Sequence, residues 1–160
     1  MNPLLSLGVL LFAGWGQLPE TIVVEQKEPL AAALNSGQTL KFERDSLEQA
    51  LMALAKKVQA KQPDFAIEIL GNDLRLEGIT KNQSIRDFSA EGKTVAEILT
   101  ALVLQANPNS AVKDPRDPKL QLLWIVGQNP KNEKQTVVLI TTRAAASKRG
   151  DKLPAMFQEK

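Results

Sequence analysis

The sequence predicts an α+β domain with two helices packed on one face of a four- to five-stranded mixed or antiparallel sheet of the split βαβ type. Three observations predict it. Two amphipathic runs, Leu47–Val58 and Val95–Val103, repeat apolar residues at i, i+3, i+4, i+7 and i+8, one face of an α-helix. Each run opens on capping-box chemistry, and a short strand-like segment precedes each of them. The remaining apolar segments are short, and one of them, Thr136–Thr141, is rich in β-branched residues.

In the first unit, Leu40 and Phe42 alternate with Lys41 and Glu43, the pattern of a half-buried strand. Asp45 with Glu48, or Ser46 with Gln49, then supplies the cap, because a short side-chain oxygen accepts from an orphan backbone N–H. Lys56, Lys57, Gln59 and Lys61 fall mostly off the apolar stripe and read as a solvated face, with Pro63 marking the end. Phe65, Ile67 and Ile69 alternate as the next strand. Gly71-Asn72-Asp73 is turn chemistry, and Leu74 and Leu76 read as a further strand or as a continuation past a bulge. Ile85–Phe88 is a short strand, and Thr94 with Glu97 caps the second helix, which Asn107-Pro108-Asn109 ends. Leu120–Val126 is the most apolar strand and is expected at the sheet centre, with Trp124 in the core. Gly127–Gln135 reads as a hairpin loop and Thr136–Thr141 as its return strand, at a sheet edge. Thr142–Lys148 reads as a short helix before a loose end.

Three regions follow: an apolar N-terminal segment and linker over 1–37, the α+β domain over 38–143, and a basic C-terminal tail over 144–160. Within the linker, Ile22–Val24 reads as a short strand and Pro29–Leu34 as one or two helical turns. Pro3–Trp15 carries no charge and is shorter than the roughly 20 residues of a spanning helix. Its length suits a signal-peptide core, yet no Lys or Arg precedes it. The alternatives are the end of a membrane segment behind a truncated start, or a buried element. Export or membrane contact through residues 3–16 places the chain in the envelope or periplasm, with the cytoplasm as the other option.

With no Cys and no His in 160 residues, disulfides, thiolate sites, Ser–His triads and imidazole metal ligands are excluded. Asp, Glu, Lys, Ser and Thr are a poor catalytic kit, so no enzyme and no cofactor is expected. Asp73, Glu77, Asp87 and Glu91 are the acidic group nearest to a hard-cation set, but their spacing matches no calcium loop. Neither G-x-G-x-x-G nor G-x-x-x-x-G-K-[ST] occurs. Net charge is +2, with 10 Lys/Arg against 13 Asp/Glu over residues 1–110 and 10 against 5 over residues 111–160. The basic end motivates nucleic-acid binding as the alternative function, although no G-x-x-G clamp or exposed aromatic pair accompanies it.

Two places are candidates for partner binding. The loop Gly78–Asp87 is polar and donor-rich through Lys81, Asn82, Gln83 and Arg86, and binding residues commonly sit on loops held by a rigid scaffold. The strand Thr136–Thr141, with Val138 and Ile140, is flanked by Lys131, Glu133, Lys134 and Arg143 as gatekeepers would flank an edge.

The chain resembles the short N-terminal domain of secretins and TonB-dependent receptors, and the ring-building domains of secretins. In that family a strand runs into a capped L-x-x-A-L-x-x-L-A helix, matched by Leu47, Ala50, Leu51, Leu54 and Ala55. A second helix of V-x-x-I-L-x-x-L type is matched by Val95, Ile98, Leu99 and Leu102, and a closing strand by Leu120–Val126. The likeness covers about residues 38–127. It departs from the pattern in the join Gln59–Asp64, which lacks a glycine, in the longer segment Asn72–Asp87, and in the added terminal hairpin. The resemblance implies a non-enzymatic envelope module that docks a protein partner or neighbouring domains of a longer chain.

Overall fold

The structure, a computed structural model, describes residues 28–159. The apolar run 3–16 and the strand expected at Ile22–Val24 lie outside the described residues. Among the described residues no helix is long and apolar enough to cross a membrane.

A helical segment over 28–35 (α1) puts Leu30 and Ala33 into the core, and Ser36 closes its end by donating to the Ala33 carbonyl. Strand β1 (Gly37–Ser46) runs directly into helix α2 (Leu47–Gln59). Of the two caps the sequence offers, Ser46 with Gln49 is used, both halves of the box being formed. Strand β2 (Ile67–Ile69) is followed by helix α3 (Gly71–Leu76). Strand β3 (Ser84–Thr94) runs into helix α4 (Val95–Ala106), whose Thr94–Glu97 box is complete. Strands β4 (Leu122–Asn129) and β5 (Asn132–Thr142) form a tight hairpin, leading to helix α5 (Arg143–Arg149) and a 3₁₀ turn at Ala155–Phe157.

The α+β class holds, but the strands make two sheets instead of one. β1 and β3 form an antiparallel pair; β2, β5 and β4 form a mixed sheet in that order, β2 parallel and β4 antiparallel to β5. The reason lies in the helices. α2 packs on β1, β3 and β2, and α4 packs on β3 and β4, so the helix pair serves both sheets. Leu47, Leu51, Leu54, Ile98, Leu99, Leu102 and Trp124 are all buried in one core, as their spacing predicts.

Three expectations are corrected. Leu74 and Leu76 are in a helix: the Leu74 N–H donates to the Leu70 carbonyl, burying Leu74 and leaving Leu76 81% exposed. β4 is not central; β5 is, lying between β2 and β4 with Val137–Thr142 buried throughout. The C-terminal end is not loose. Phe157 is fully buried edge-on against Trp124 with ring centroids 5.9 Å apart, and Arg143 donates to the carbonyls of Leu120, Pro115 and Phe157. Gly150, at φ +73°, makes the left-handed turn that ends α5 and sends the chain back.

Candidate interaction surfaces

The donor-rich loop Gly78–Asp87 is, in its backbone, a cap for α2. The carbonyls of Lys81 and Gln83 accept from the N–H groups of Glu48 and Leu47, and Lys81 Nζ meets Glu48 Oε1 at 2.7 Å. Ile79 anchors it in the core. Lys81 and Asn82 remain exposed and Gln83 half-buried, while Arg86 is exposed on β3.

The strand expected at an edge is closed. Val138 and Ile140 are fully buried, and the Val138 N–H donates to the Ala66 carbonyl at 3.1 Å. The charges around it have other work: Lys131 Nζ pairs with Glu68 Oε2 at 2.9 Å, and Arg143 ties the C-terminal segment to the loop before β4. Thr136–Thr141 is therefore the centre of the sheet and not a docking edge.

The edge is β4. The Gln121 carbonyl accepts from the Arg143 N–H, which sets the phase of the ladder, so Trp124 and Val126 turn their backbone N–H and C=O groups away from β5. Among the described residues no strand lies beyond them. Asn107 closes the start of this edge: its Oδ1 accepts from the N–H groups of Gln121 at 3.0 Å and Leu122 at 3.2 Å. Further along, Val126 is 41% exposed.

Next to this open stretch, a groove of about 570 Å³ crosses the face of the three-stranded sheet. Ile125, Gly127 and Leu139 line its apolar part. The hairpin tip, with Lys131 bonded to Glu68, lines one part of the rim; Asp73, Arg149 and Asp151 line another. Those last residues are fixed. Arg149 donates through Nη1 to Asp73 at 2.7 Å, through Nε to Asp151 at 2.8 Å and through Nη2 to Thr141 at 3.1 Å, and the Thr141 hydroxyl donates to Asp73 at 2.6 Å. Burial pulls the Arg149 pKa down, but the bonds and charges of Asp73 and Asp151 outweigh it, leaving a net rise. Thr141 has no exposed surface, which closes its hydroxyl to a substrate. The network instead locks α3 and α5 onto β5.

Asp73 is thus engaged in this network, apart from the acidic grouping tested in the sequence. Among the described residues no cluster of three or more Asp and Glu has a metal-holding arrangement. Sequence reasoning missed both the β4 edge and the Asp73–Thr141–Arg149 network. Its members are separated by as many as 76 positions, so no local spacing announces them.

Comparison with protein-family models, with curated proteins and with solved structures gave no match.

Proposed function

We propose that this chain is a non-enzymatic protein-docking module of a bacterial envelope protein, taking up an extended segment of a partner, or of a neighbouring domain of a longer chain, along β4. One observation carries the reading: the outward-facing backbone groups of Trp124 and Val126 run beside a groove lined by Ile125, Gly127 and Leu139. An added strand gains affinity from backbone bonds and specificity from alternate side chains entering such a hollow. The charge-free run Pro3–Trp15 and the resemblance of the two capped helices to secretin and TonB-receptor N-terminal domains support the envelope assignment. Nucleic-acid binding through the basic C-terminal portion is the competing class. Arg143 and Arg149, two of its cations, are committed to bonds within the chain.

The test pairs two proline variants. Val126→Pro removes a donor that points away from β5, so the fold should survive. Val138→Pro removes the bond to Ala66 inside the sheet and should unfold the domain. A photo-cross-linking residue at Gln128 should give discrete protein adducts in envelope fractions of the host. Val126→Pro should abolish them while circular dichroism and melting persist. Adducts unchanged by Val126→Pro refute docking on β4. Retention on DNA or RNA at low salt, falling with a slope of about −0.7 to −0.9 per phosphate contact, supports the competing class.

A further inference from the structure

β5 is flanked by a strand on both sides only from Val138 to Ile140, where β2 pairs with it. β4 follows it from Asn132 to Thr142, with one register shift. The Val138 N–H points to the β2 side, where it donates to Ala66. Thr136, two positions earlier, turns its backbone N–H and C=O the same way, and among the described residues they meet no backbone partner there. A cavity of about 790 Å³ opens at this point, with Thr136 on its wall. The buried Leu30 and Phe65 give it an apolar part, and the exposed Lys61 and Lys134 a basic one. Unpaired backbone groups beside an apolar hollow are what an extended segment requires.

We infer that this cavity is the docking site of the chain's own segment Glu20–Glu25, added in extended form beside Thr136. The described chain begins at Glu28, and the next two residues, Pro29 and Leu30, are themselves part of the cavity wall. Val24 precedes Pro29 by five positions. That is a reach of at most about 18 Å, enough to lie across the hollow. The segment has the composition for it: Thr21, Ile22, Val23 and Val24 are all β-branched, and Ile22 and Val24 share one face of a strand, suited to Leu30 and Phe65. Glu20 and Glu25 at its ends complement Lys61 and Lys134. The tether favours this occupant over a segment of another molecule, because so short a link holds it at an effective concentration on the order of millimolar. Docked there, the segment leaves only residues 16–19 between itself and the apolar run Pro3–Trp15, which holds the domain close to whatever receives that run.

The test compares the ¹⁵N-labelled full chain with its Ile22→Asp/Val24→Asp variant. In the wild-type chain the Thr136 amide should exchange with solvent at least about tenfold more slowly than in the variant, and the amides of residues 61–65 and 132–136 should shift between the two. The probe acetyl-Glu-Thr-Ile-Val-Val-Glu-amide, titrated into the variant, should move those amides saturably back towards their wild-type positions. The same peptide with Asp at its third and fifth positions should not. Lys61→Glu with Lys134→Glu should weaken the probe by about threefold to tenfold. Equal exchange of Thr136 in the two chains overturns the inference, as do shifts confined to residues 28–34. So does binding of the probe at residues 124–128, which would give the segment to the β4 edge. Protection that fades on dilution would give the cavity to a segment of a second copy and overturns it too. Circular dichroism should show both chains folded; a variant that unfolds would make the segment part of the core and sink the docking assignment.

Discussion

Replacing Asn107 by Ala tests how β4 is held at the start of its open edge. Asn107 ends α4 and is only 4% exposed. Its Oδ1 accepts two backbone N–H groups, from the half-buried Gln121 and the fully buried Leu122, and its Nδ2 donates to the Asn109 carbonyl at 3.0 Å. Alanine leaves both donors without an acceptor. An orphaned buried donor costs about 1–3 kcal/mol, toward the lower end where water can reach it. The two together give about 2–4 kcal/mol. With a urea m-value of about 2 kcal/mol/M, the denaturation midpoint should fall by about 1–2 M. The control is Asn109→Ala, which deletes an exposed side-chain acceptor for the Ala111 N–H and should cost less than about 1 kcal/mol. Urea titrations followed by Trp124 fluorescence measure both. A loss for Asn107→Ala no larger than for Asn109→Ala would refute the reasoning, because it would mean that the two donors find other partners.

Phe157→Ala should destabilise by about 3–5 kcal/mol, since Phe157 is fully buried against Trp124; thermal melting reads this, and an unchanged melting temperature would mean the C-terminal segment is not part of the core. Gly127→Ala should cost no more than about 1 kcal/mol, because the new Cβ would sit 2.7 Å from Leu139 Cδ1, the end of a side chain that can turn into the groove it lines, and Leu139→Ala in the same chain should remove most of that cost in a double-mutant cycle. The pKa of Glu97 is lowered by its bonds to the Thr94 backbone and side chain, aided by Lys93. A depressed folded value means that the ionised form stabilises the fold above the ordinary glutamate range, and that this contribution is lost as pH falls through the folded value. The stability difference between wild type and Glu97→Gln should therefore shrink between about pH 5 and pH 3, and a difference independent of pH would show that the charge contributes nothing.

What could be read in the sequence is what depends on neighbours in the chain. Ser46 with Gln49, and Thr94 with Glu97, act across three positions, and the stripes that follow bury the residues their period selects. Leu74 and Leu76 mark where that locality fails. Three residues in alternation fit a strand and one helical turn equally, and the deciding partners, Thr141 and Arg149 against Asp73, are far away in sequence. The C-terminal charges were open to the same error. Arg143 and Arg149 look like solubilising cations until the carbonyls and carboxylates that receive them are brought alongside by the fold.

The reversal of β4 and β5 follows from treating apolarity as a measure of centrality. Leu122–Ile125 is the more apolar stretch, which favours a central position, yet a strand's burial depends on what covers its faces as well as on what pairs with its edges. In β4, Trp124 donates to Thr100 on α4 and meets Phe157 from the C-terminal turn, so an edge strand is buried from its faces. In β5, the central strand ends in Thr141 and Thr142, and both are fully buried because each hydroxyl has a partner: Asp73 and Arg149 for Thr141, the Ala145 N–H for Thr142. The polar strand is thus fixed at the centre by specific bonds. The apolar one keeps an outward row of backbone groups at Trp124 and Val126, with Asn107 occupying only its first position. If strand addition is the mode of docking, the incoming segment must pair beyond Leu122, where the edge is open and Val126 is already exposed.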